Sequence, residues 1–166
     1  MKEYQKLYRL VTAALFAAAI AVMTAYMLHI PIPTGGYIHI GDALIYLAAC
    51  LLPLPHAVGA AAVGAGLADL LTAPMWVVPT LIIKAIVVLP FTSRRTRILC
   101  PRNIAAIFIS GLISPVGYCV LLGGPSAFLP QFLGTLIQAA ASGAVFVVLA
   151  LALDGARVKE RLSAGI

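Results

Sequence analysis

Six long apolar runs, separated by short polar stretches, constrain the fold of this 166-residue chain more than any other feature. They occupy residues 7–28, 43–54, 57–72, 78–91, 104–122 and 128–153. The chain is 63% hydrophobic and 10% charged, whereas soluble domains are about 45–50% apolar and about 25% charged. Because a spanning helix needs about 20 residues, the runs predict an all-α membrane protein with six transmembrane helices. No polar stretch is long enough for a second domain, so residues 1–166 are predicted to form one integral membrane domain.

The positions of the basic residues predict the orientation. Ten of the eleven Lys and Arg residues lie at the start of the first span, between the fourth and fifth runs, or after the last run: Lys2, Lys6, Arg9, Arg94, Arg95, Arg97, Arg102, Arg157, Lys159 and Arg161. With six spans they share one side, which the positive-inside rule assigns to the cytoplasm together with both termini. In the alternative topology, residues 43–72 form one kinked helix. The basic residues of 94–102 would then lie outside the cell while the N-terminus stayed inside, which violates the rule. The net charge of +6 is therefore explained by the orientation of the protein in the cell membrane. Nucleic acid is excluded as a partner.

The second and fourth spans are short. Residues 42–54 give about 20 Å of helix at about 1.5 Å per residue, whereas the hydrocarbon core is about 30 Å thick. The connection over residues 31–41 is therefore predicted to dip into the outer leaflet. Irregular backbone at that depth is tolerated only when it is buried in protein or lines a cavity. We expect this first external loop to cap a cavity.

Three ionisable residues lie inside the spans at similar depth in the outer half of the bilayer: Asp42, Asp69 and Lys84. Such groups are costly in a membrane and usually functional. One interpretation is structural, with a Lys84–Asp69 ion pair and Asp42 as the N-cap of the second helix. The other is that the remaining carboxylate accepts hydrogen bonds from an amine or amidine-like edge of a substrate.

Further polar and aromatic residues gather at the same end. With the three ionisable groups they complete the set of candidate substrate-binding residues: Tyr37, His39, Trp76, Thr80, Tyr118 and Gln138. Trp76 also suits an interfacial aromatic belt, and His39 also suits a role in loop structure. An unpaired amide inside a span is expensive, so Gln138 is predicted to contact a ligand or another helix.

Small residues form a ridge on the first helix, at Ala13, Ala14, Ala17 and Ala18. Such ridges allow close helix–helix contact. This one could pack inside the fold or receive another subunit.

No residues are predicted to be catalytic or to bind a metal or cofactor. Cys50, Cys100 and Cys119 lack metal-ligand spacing. The sequence contains no GxSxG, no HExxH and no phosphate loop ending in Lys-Ser/Thr. The protein is therefore not predicted to be an enzyme and has no ATP site of its own.

Several motifs together resemble the substrate-binding S components of energy-coupling-factor (ECF) vitamin transporters. They are GGYIHIGDALIYLAA at 35–49, GAGLAD at 64–69, PTLIIK at 79–84 and the pair Gly134 and Gln138. The resemblance implies a six-helix subunit that captures a micronutrient from outside. Its implied partners are the substrate, the lipid bilayer, a transmembrane coupling subunit and two cytoplasmic ATPases. It also implies that the alanine ridge contacts the coupling subunit.

The substrate is predicted from finer details. TGGYIHIGD at 34–42 and LADLL at 67–71 are most similar to the branch associated with queuosine precursors, which are deazaguanine bases. A carboxylate suits the amino edge of such a base, Gln138 its carbonyl side, and Trp76 or Tyr37 its ring face. Pyridoxine, hydroxymethylpyrimidine and riboflavin remain alternatives.

Two other functions compete with substrate capture. One is a stand-alone secondary carrier, against which the lack of a clear inverted repeat counts. The other is an intramembrane enzyme that uses Asp42 and Asp69 as an acid/base pair.

Overall fold

A computed structural model describes residues 2–27, 30–31, 37–123 and 128–160. Within them the chain forms helices α1 Lys2–Tyr26, α2 Asp42–Leu51, α3 Leu54–Thr72, α4 Val77–Val87, α5 Pro101–Tyr118 and α6 Phe128–Gly155. A 3₁₀ turn, Pro74–Trp76, precedes α4, and a π-helical turn, Cys119–Gly123, follows α5. Between α1 and α2, two-residue strands β1 Ile30–Pro31 and β2 Tyr37–Ile38 pair antiparallel. Residues 32–36 of the predicted cavity-capping loop lie outside the described residues.

The helices are those of a multi-pass membrane protein, as the sequence predicts. Among the described residues, four segments are long and apolar enough to cross a membrane: Glu3–Tyr26, Leu54–Thr72, Pro101–Leu121 and Phe132–Gly155. The second and fourth helices are short, with 10 residues in α2 and 11 in α4. Helices of that length give about 15–17 Å at about 1.5 Å per residue.

Proline residues determine where two of the helices begin. Pro53 is the N-cap of α3, and Pro55 lies in its first turn. Pro101 is the first residue of α5. Proline is favoured there because the first-turn N–H groups have no partner within the helix. The chain therefore ends α2 at Leu51 and restarts as α3 only three residues later.

Helix α2 lies at the centre of the described fold. Eight of its ten residues are buried, and it contacts α1, α3 and α6. The ring of Tyr46 stacks on Phe91 at 5.0 Å and meets Phe146 edge-on at 6.0 Å. Its hydroxyl forms a hydrogen bond of 2.8 Å with Ser110. Because protein surrounds α2, a length too short for the bilayer is tolerated and its first residue is held away from lipid.

The alanine ridge of α1 is divided between two faces. Ala13 and Ala17 are each 8% exposed and belong to the core, on a helix that packs against α3. Ala14 and Ala18 are exposed. The four residues predicted to contact a partner subunit therefore differ in exposure: Ala13 and Ala17 lie toward α3, and Ala14 and Ala18 face outward.

Gly64 on α3 allows the close approach of α1. A Cβ atom at Gly64 would lie 2.7 Å from the carbonyl oxygen of Ala17 and 2.9 Å from the Cβ of Ile20. We expect Gly64→Ala to destabilise the protein by about 1–3 kcal/mol, the usual cost of overpacking. The measurement is thermal unfolding of the purified protein in detergent.

Gly59→Ala is the matched control, because it lies on the same helix and a Cβ there would meet nothing within 4 Å. The control should keep or raise the unfolding temperature, since alanine has the higher helix propensity. Equal unfolding temperatures for the two variants would contradict the close packing at Gly64.

Side chains from α5 and α6 hold the segment between α4 and α5. The Asn103 amide accepts from the Thr92 N–H at 2.9 Å and donates to the carbonyl oxygens of Thr92 and Ile98 at 3.2 and 2.9 Å. The Asp154 carboxylate accepts from the N–H groups of Ile98 and Leu99 at 2.8 and 2.9 Å. The second basic segment is thus fixed against the end of α6.

Candidate substrate-binding site

The site is built around a buried ion pair between α2 and α4. The Lys84 ammonium donates to both carboxylate oxygens of Asp42, at 2.6 and 2.8 Å, and both residues are 3% exposed. This pairing corrects two sequence predictions. The partner that the structure gives Lys84 is Asp42 instead of Asp69, and the N-cap of α2 is Gly41, with Asp42 as the first helical residue. Lys84 reaches this carboxylate with its long side chain from α4, a helix that packs against α3 and α5.

Gln138 brings α6 into the same cluster. Its amide nitrogen donates to Oδ2 of Asp42 at 2.8 Å, so the predicted contact with another helix is confirmed. A carboxylate offers about four lone-pair positions, of which Lys84 and Gln138 use three. Asp42 is therefore held by groups from two other helices and keeps acceptor capacity for a ligand.

His39 contributes to the structure of the loop before α2. It is 6% exposed, and its Nδ1 accepts the Gly41 N–H at 3.1 Å. A neutral His39 therefore carries its ring proton on Nε2. Its carbonyl oxygen accepts the Ser142 hydroxyl at 3.3 Å, which ties the loop to α6.

Gly41 is needed for the close contact between this loop and α1. A Cβ atom at Gly41 would overlap the hydroxyl oxygen of Thr24 and lie 3.0 Å from Nδ1 of His39. Thr24 is 2% exposed, and its hydroxyl has no hydrogen-bond partner within the part of the chain that the structure describes.

An aromatic pair lies beside the ion pair. The rings of Trp76 and Tyr118 meet edge-on, with centroids 5.3 Å apart and planes at 86°. The Tyr118 hydroxyl forms a hydrogen bond of 3.3 Å with Thr80. Thr80 and Lys84 are four residues apart on α4 and share one face of that helix. The aromatic pair and the ion pair therefore form one continuous region.

Asp69 gives this region an excess negative charge. It is 5% exposed on α3 and acts electrostatically on Lys84 and Tyr118. With Asp42 and Lys84, the formal charges sum to one negative. Such a region suits a ligand that carries N–H donors or a positive charge.

The structure thus brings together eight of the nine predicted site residues: His39, Asp42, Asp69, Trp76, Thr80, Lys84, Tyr118 and Gln138. Tyr37 lies in β2 with its backbone opposite Pro31, and its side chain is outside the described residues. Sequence reasoning missed Ser142 and Thr24. Ser142 follows Gln138 by one helical turn, so the period of α6 could have identified it. No sequence pattern distinguishes Thr24.

The described residues contain no group of three His, Cys, Asp or Glu side chains arranged to hold a metal ion. The arrangement can instead bind a small polar molecule through a fixed carboxylate, an amide and aromatic rings. Comparison with known proteins agrees with such a role. The sequence profile described as "ECF-type riboflavin transporter, S component" matches residues 5–154.

The chain belongs to this family of ECF S components. A protein of Pyrococcus woesei, described as "Uncharacterized protein in gap 3'region", is similar as well, with 31% identity over 124 residues. The match covers 70% of this chain and 82% of that protein. The predicted resemblance to S components is confirmed, whereas the finer assignment to the queuosine-precursor branch is not.

Family membership gives the general role. This S component is a membrane transport protein that binds a small-molecule substrate and works with an ECF module. It is a binding subunit and not an enzyme. The buried polar region of α2, α4 and α6 is the candidate for the substrate-binding site.

Proposed function

We propose that this S component captures a deazaguanine base, a queuosine precursor, from outside the cell with high affinity. The observation that carries the proposal is the Asp42 carboxylate, which Lys84 and Gln138 hold at the start of α2. The remaining acceptor position of this fixed carboxylate can take one hydrogen bond from the exocyclic amine or the ring N–H of an amidine-like edge. The amide of Gln138 has further donor and acceptor capacity for the carbonyl side.

The neighbouring groups fit the rest of such a base. The aromatic pair Trp76 and Tyr118 offers ring surfaces against which a flat heterocycle packs. The excess negative charge from Asp69 favours a base bearing an amine. The first external loop closes over the base in this proposal, with Tyr37 as a second aromatic contact.

The proposed topology is six spans with both termini in the cytoplasm of a prokaryotic-type cell. One end of the fold supports this arrangement, because Arg9, Ser93 and Lys159 line the same cavity there. These residues lie in or next to the three segments that carry the basic residues, at 2–9, 94–102 and 157–161. The polar site includes Asp42, the first residue of α2, and the cavity includes Leu51, its last residue. In the proposed topology the site therefore lies on the external side and the cavity on the cytoplasmic side.

The proposed partners are a transmembrane coupling subunit and two cytoplasmic ATPases. The exposed alanines Ala14 and Ala18 are the proposed contact with the coupling subunit. A groove of about 320 Å³ supports this placement, since Ala14 lines it with Gly59 and Val63 of α3 and its walls are almost entirely apolar. Small residues and an apolar groove suit the close approach of another helix.

Riboflavin is the second candidate substrate, because the matched family is described by that vitamin. Its pyrimidine-dione edge carries one N–H between two carbonyl groups. A protein site complements that edge when one acceptor receives the N–H and a donor on either side binds each carbonyl oxygen. Asp42 with Lys84 and Gln138 can supply those groups as well, so binding measurements must decide.

The test is isothermal titration calorimetry of the purified protein with four compounds: a 7-deazaguanine base, riboflavin, pyridoxine and hydroxymethylpyrimidine. We expect the deazaguanine base to bind most tightly. Tighter binding of riboflavin would overturn the substrate assignment and favour the second candidate. Mass spectrometry of small molecules that copurify with the protein is an independent check.

Gln138→Leu is expected to weaken substrate affinity about tenfold to hundredfold. The substitution removes the proposed hydrogen bond to the carbonyl side of the base, and leaving that buried acceptor unpaired costs about 1–3 kcal/mol. About 1.4 kcal/mol corresponds to a factor of ten in Kd. Calorimetry with the tightest-binding compound of the panel measures the change. Thr135→Val is the control, because the Thr135 hydroxyl donates to the Phe132 carbonyl oxygen of the same helix. A Kd unchanged by Gln138→Leu would remove Gln138 from the site.

A further inference from the structure

A second cavity lies at the end of the fold where the basic segments meet. It has a volume of about 460 Å³ and is enclosed by the start of α1, the end of α2, the segment after α4 and the chain after α6. Its lining residues are Gln5, Tyr8, Arg9, Thr12, Phe16, Leu51, Leu52, Pro53, Ser93 and Lys159. The cavity is separate from the residues of the candidate substrate-binding site.

The polar part of this cavity is cationic. Arg9 and Lys159 both line it, and no Asp or Glu is among its lining residues in the described part of the chain. Burial lowers the pKa of Lys159 from its usual value. An anion bound beside the ammonium would oppose that shift, because an opposite charge favours the protonated form.

Another part of the cavity wall is apolar. Phe16 lies seven residues after Arg9 on α1, about 10 Å farther along the helix at about 1.5 Å per residue. Leu51 and Leu52 also line the cavity. The cavity therefore combines two cations with an apolar surface.

The cavity wall is assembled from distant parts of the chain. Ser93 reaches it from the segment that Asn103 and Asp154 hold in place. Leu52 follows the last residue of α2, and its N–H donates to the Ala48 carbonyl oxygen at 2.8 Å. A molecule in the cavity would bridge the first and last helices.

We propose that this cavity binds one anionic phospholipid from the cytoplasmic leaflet. Arg9 and Lys159 pair with the phosphate group, and an acyl chain lies along Phe16, Leu51 and Leu52. A lipid headgroup and a free inorganic phosphate would both present a phosphate group to the two cations, so free phosphate is the alternative ligand. The apolar wall favours the lipid, because free phosphate would leave that surface without a partner.

The test compares the full chain in nanodiscs of phosphatidylglycerol and of phosphatidylcholine with the same acyl chains. We expect a higher unfolding temperature in phosphatidylglycerol and, by native mass spectrometry, retention of one phosphatidylglycerol molecule per protein. Arg9→Gln/Lys159→Gln should lower the retained phosphatidylglycerol about tenfold or more, since hydrogen bonds to charged groups contribute about 1.5–3 kcal/mol.

Arg95→Gln/Arg97→Gln is the charge-matched control, because both arginines are exposed and neither lines the cavity. The control should keep the bound lipid. Equal lipid retention in the two double variants would overturn the proposal, because it would show a general surface attraction. Stabilisation by inorganic phosphate alone, lost in the Arg9/Lys159 variant, would assign a soluble phosphate ligand and overturn the lipid.

The proposal stays testable if the Arg9/Lys159 variant does not fold. Wild-type protein is then stripped of lipid and offered equal amounts of the two phospholipids. Retention without preference for phosphatidylglycerol would overturn the proposal, whereas retention of a single phosphatidylglycerol supports it. The charge-conserving variant Arg9→Lys/Lys159→Arg is expected to keep that preference.

Discussion

Asp42→Asn is expected to lower stability by about 3–5 kcal/mol and to abolish measurable substrate binding. The substitution keeps the size of the side chain but removes its charge. The Lys84 ammonium, whose side chain is 4% exposed, then remains buried without the carboxylate that it binds at 2.6 Å. Removing one partner of a buried ion pair typically costs that much, because the other charge is left uncompensated. Thermal unfolding in detergent and calorimetry with the substrate measure the two effects.

The exposed pair between Glu3 and Lys6 provides a matched control. Its distance of 2.8 Å is similar, but its side chains are 73% and 87% exposed. Glu3→Gln is therefore expected to leave the unfolding temperature unchanged, because exposed pairs contribute little to stability. An equal effect of Glu3→Gln and Asp42→Asn would contradict the importance of burial.

Adding Lys84→Met to Asp42→Asn separates stability from binding. The double variant no longer has the buried ammonium that Asp42→Asn leaves without its carboxylate, so part of the lost stability should return. Substrate binding should not return, because the proposed acceptor is still missing. Recovery of binding in the double variant would show that Asp42 serves the fold alone.

The depth of the ionisable groups was predictable from the sequence, but their pairing was not. Counting residues along the spans places Asp42, Asp69 and Lys84 at similar depth, and the structure brings all three into one region. Depth gives only the position along each helix. The partner of Lys84 depends on how α4 is rotated where it packs against α3 and α5, and depth alone does not distinguish the two carboxylates.

The division of the alanine ridge between two faces of α1 was not predictable for a related reason. Ala13, Ala14, Ala17 and Ala18 cover a wide arc of α1, so small residues face both inward and outward. The period of 3.6 residues identifies faces but does not say which one receives α3. That choice rests on contacts such as Gly64 against Ala17, which involve residues far apart in sequence. The short α2 was predictable because the apolar run itself was short.

Replacing Ala14 and Ala18 together by leucine is expected to abolish ATP-driven uptake while leaving substrate affinity unchanged. Both residues are exposed, and Ala14 lines the apolar groove between α1 and α3. Two leucines on the proposed contact would hold a partner helix away, since close packing in membranes requires small residues. Uptake is measured in proteoliposomes that contain the complete ECF module. Calorimetry on the isolated protein measures affinity.

Two further variants of α1 show which face matters. Ala19→Leu changes an exposed alanine outside the ridge and should keep both uptake and binding. Ala17→Leu changes a core residue that is 8% exposed, so it should lower the unfolding temperature by overpacking α1 against α3. Full uptake in the Ala14→Leu/Ala18→Leu variant would place the coupling contact elsewhere. A lower unfolding temperature together with lost substrate affinity in that variant would mean that Ala14 and Ala18 support the fold, because the change in unfolding temperature would then match that of Ala17→Leu.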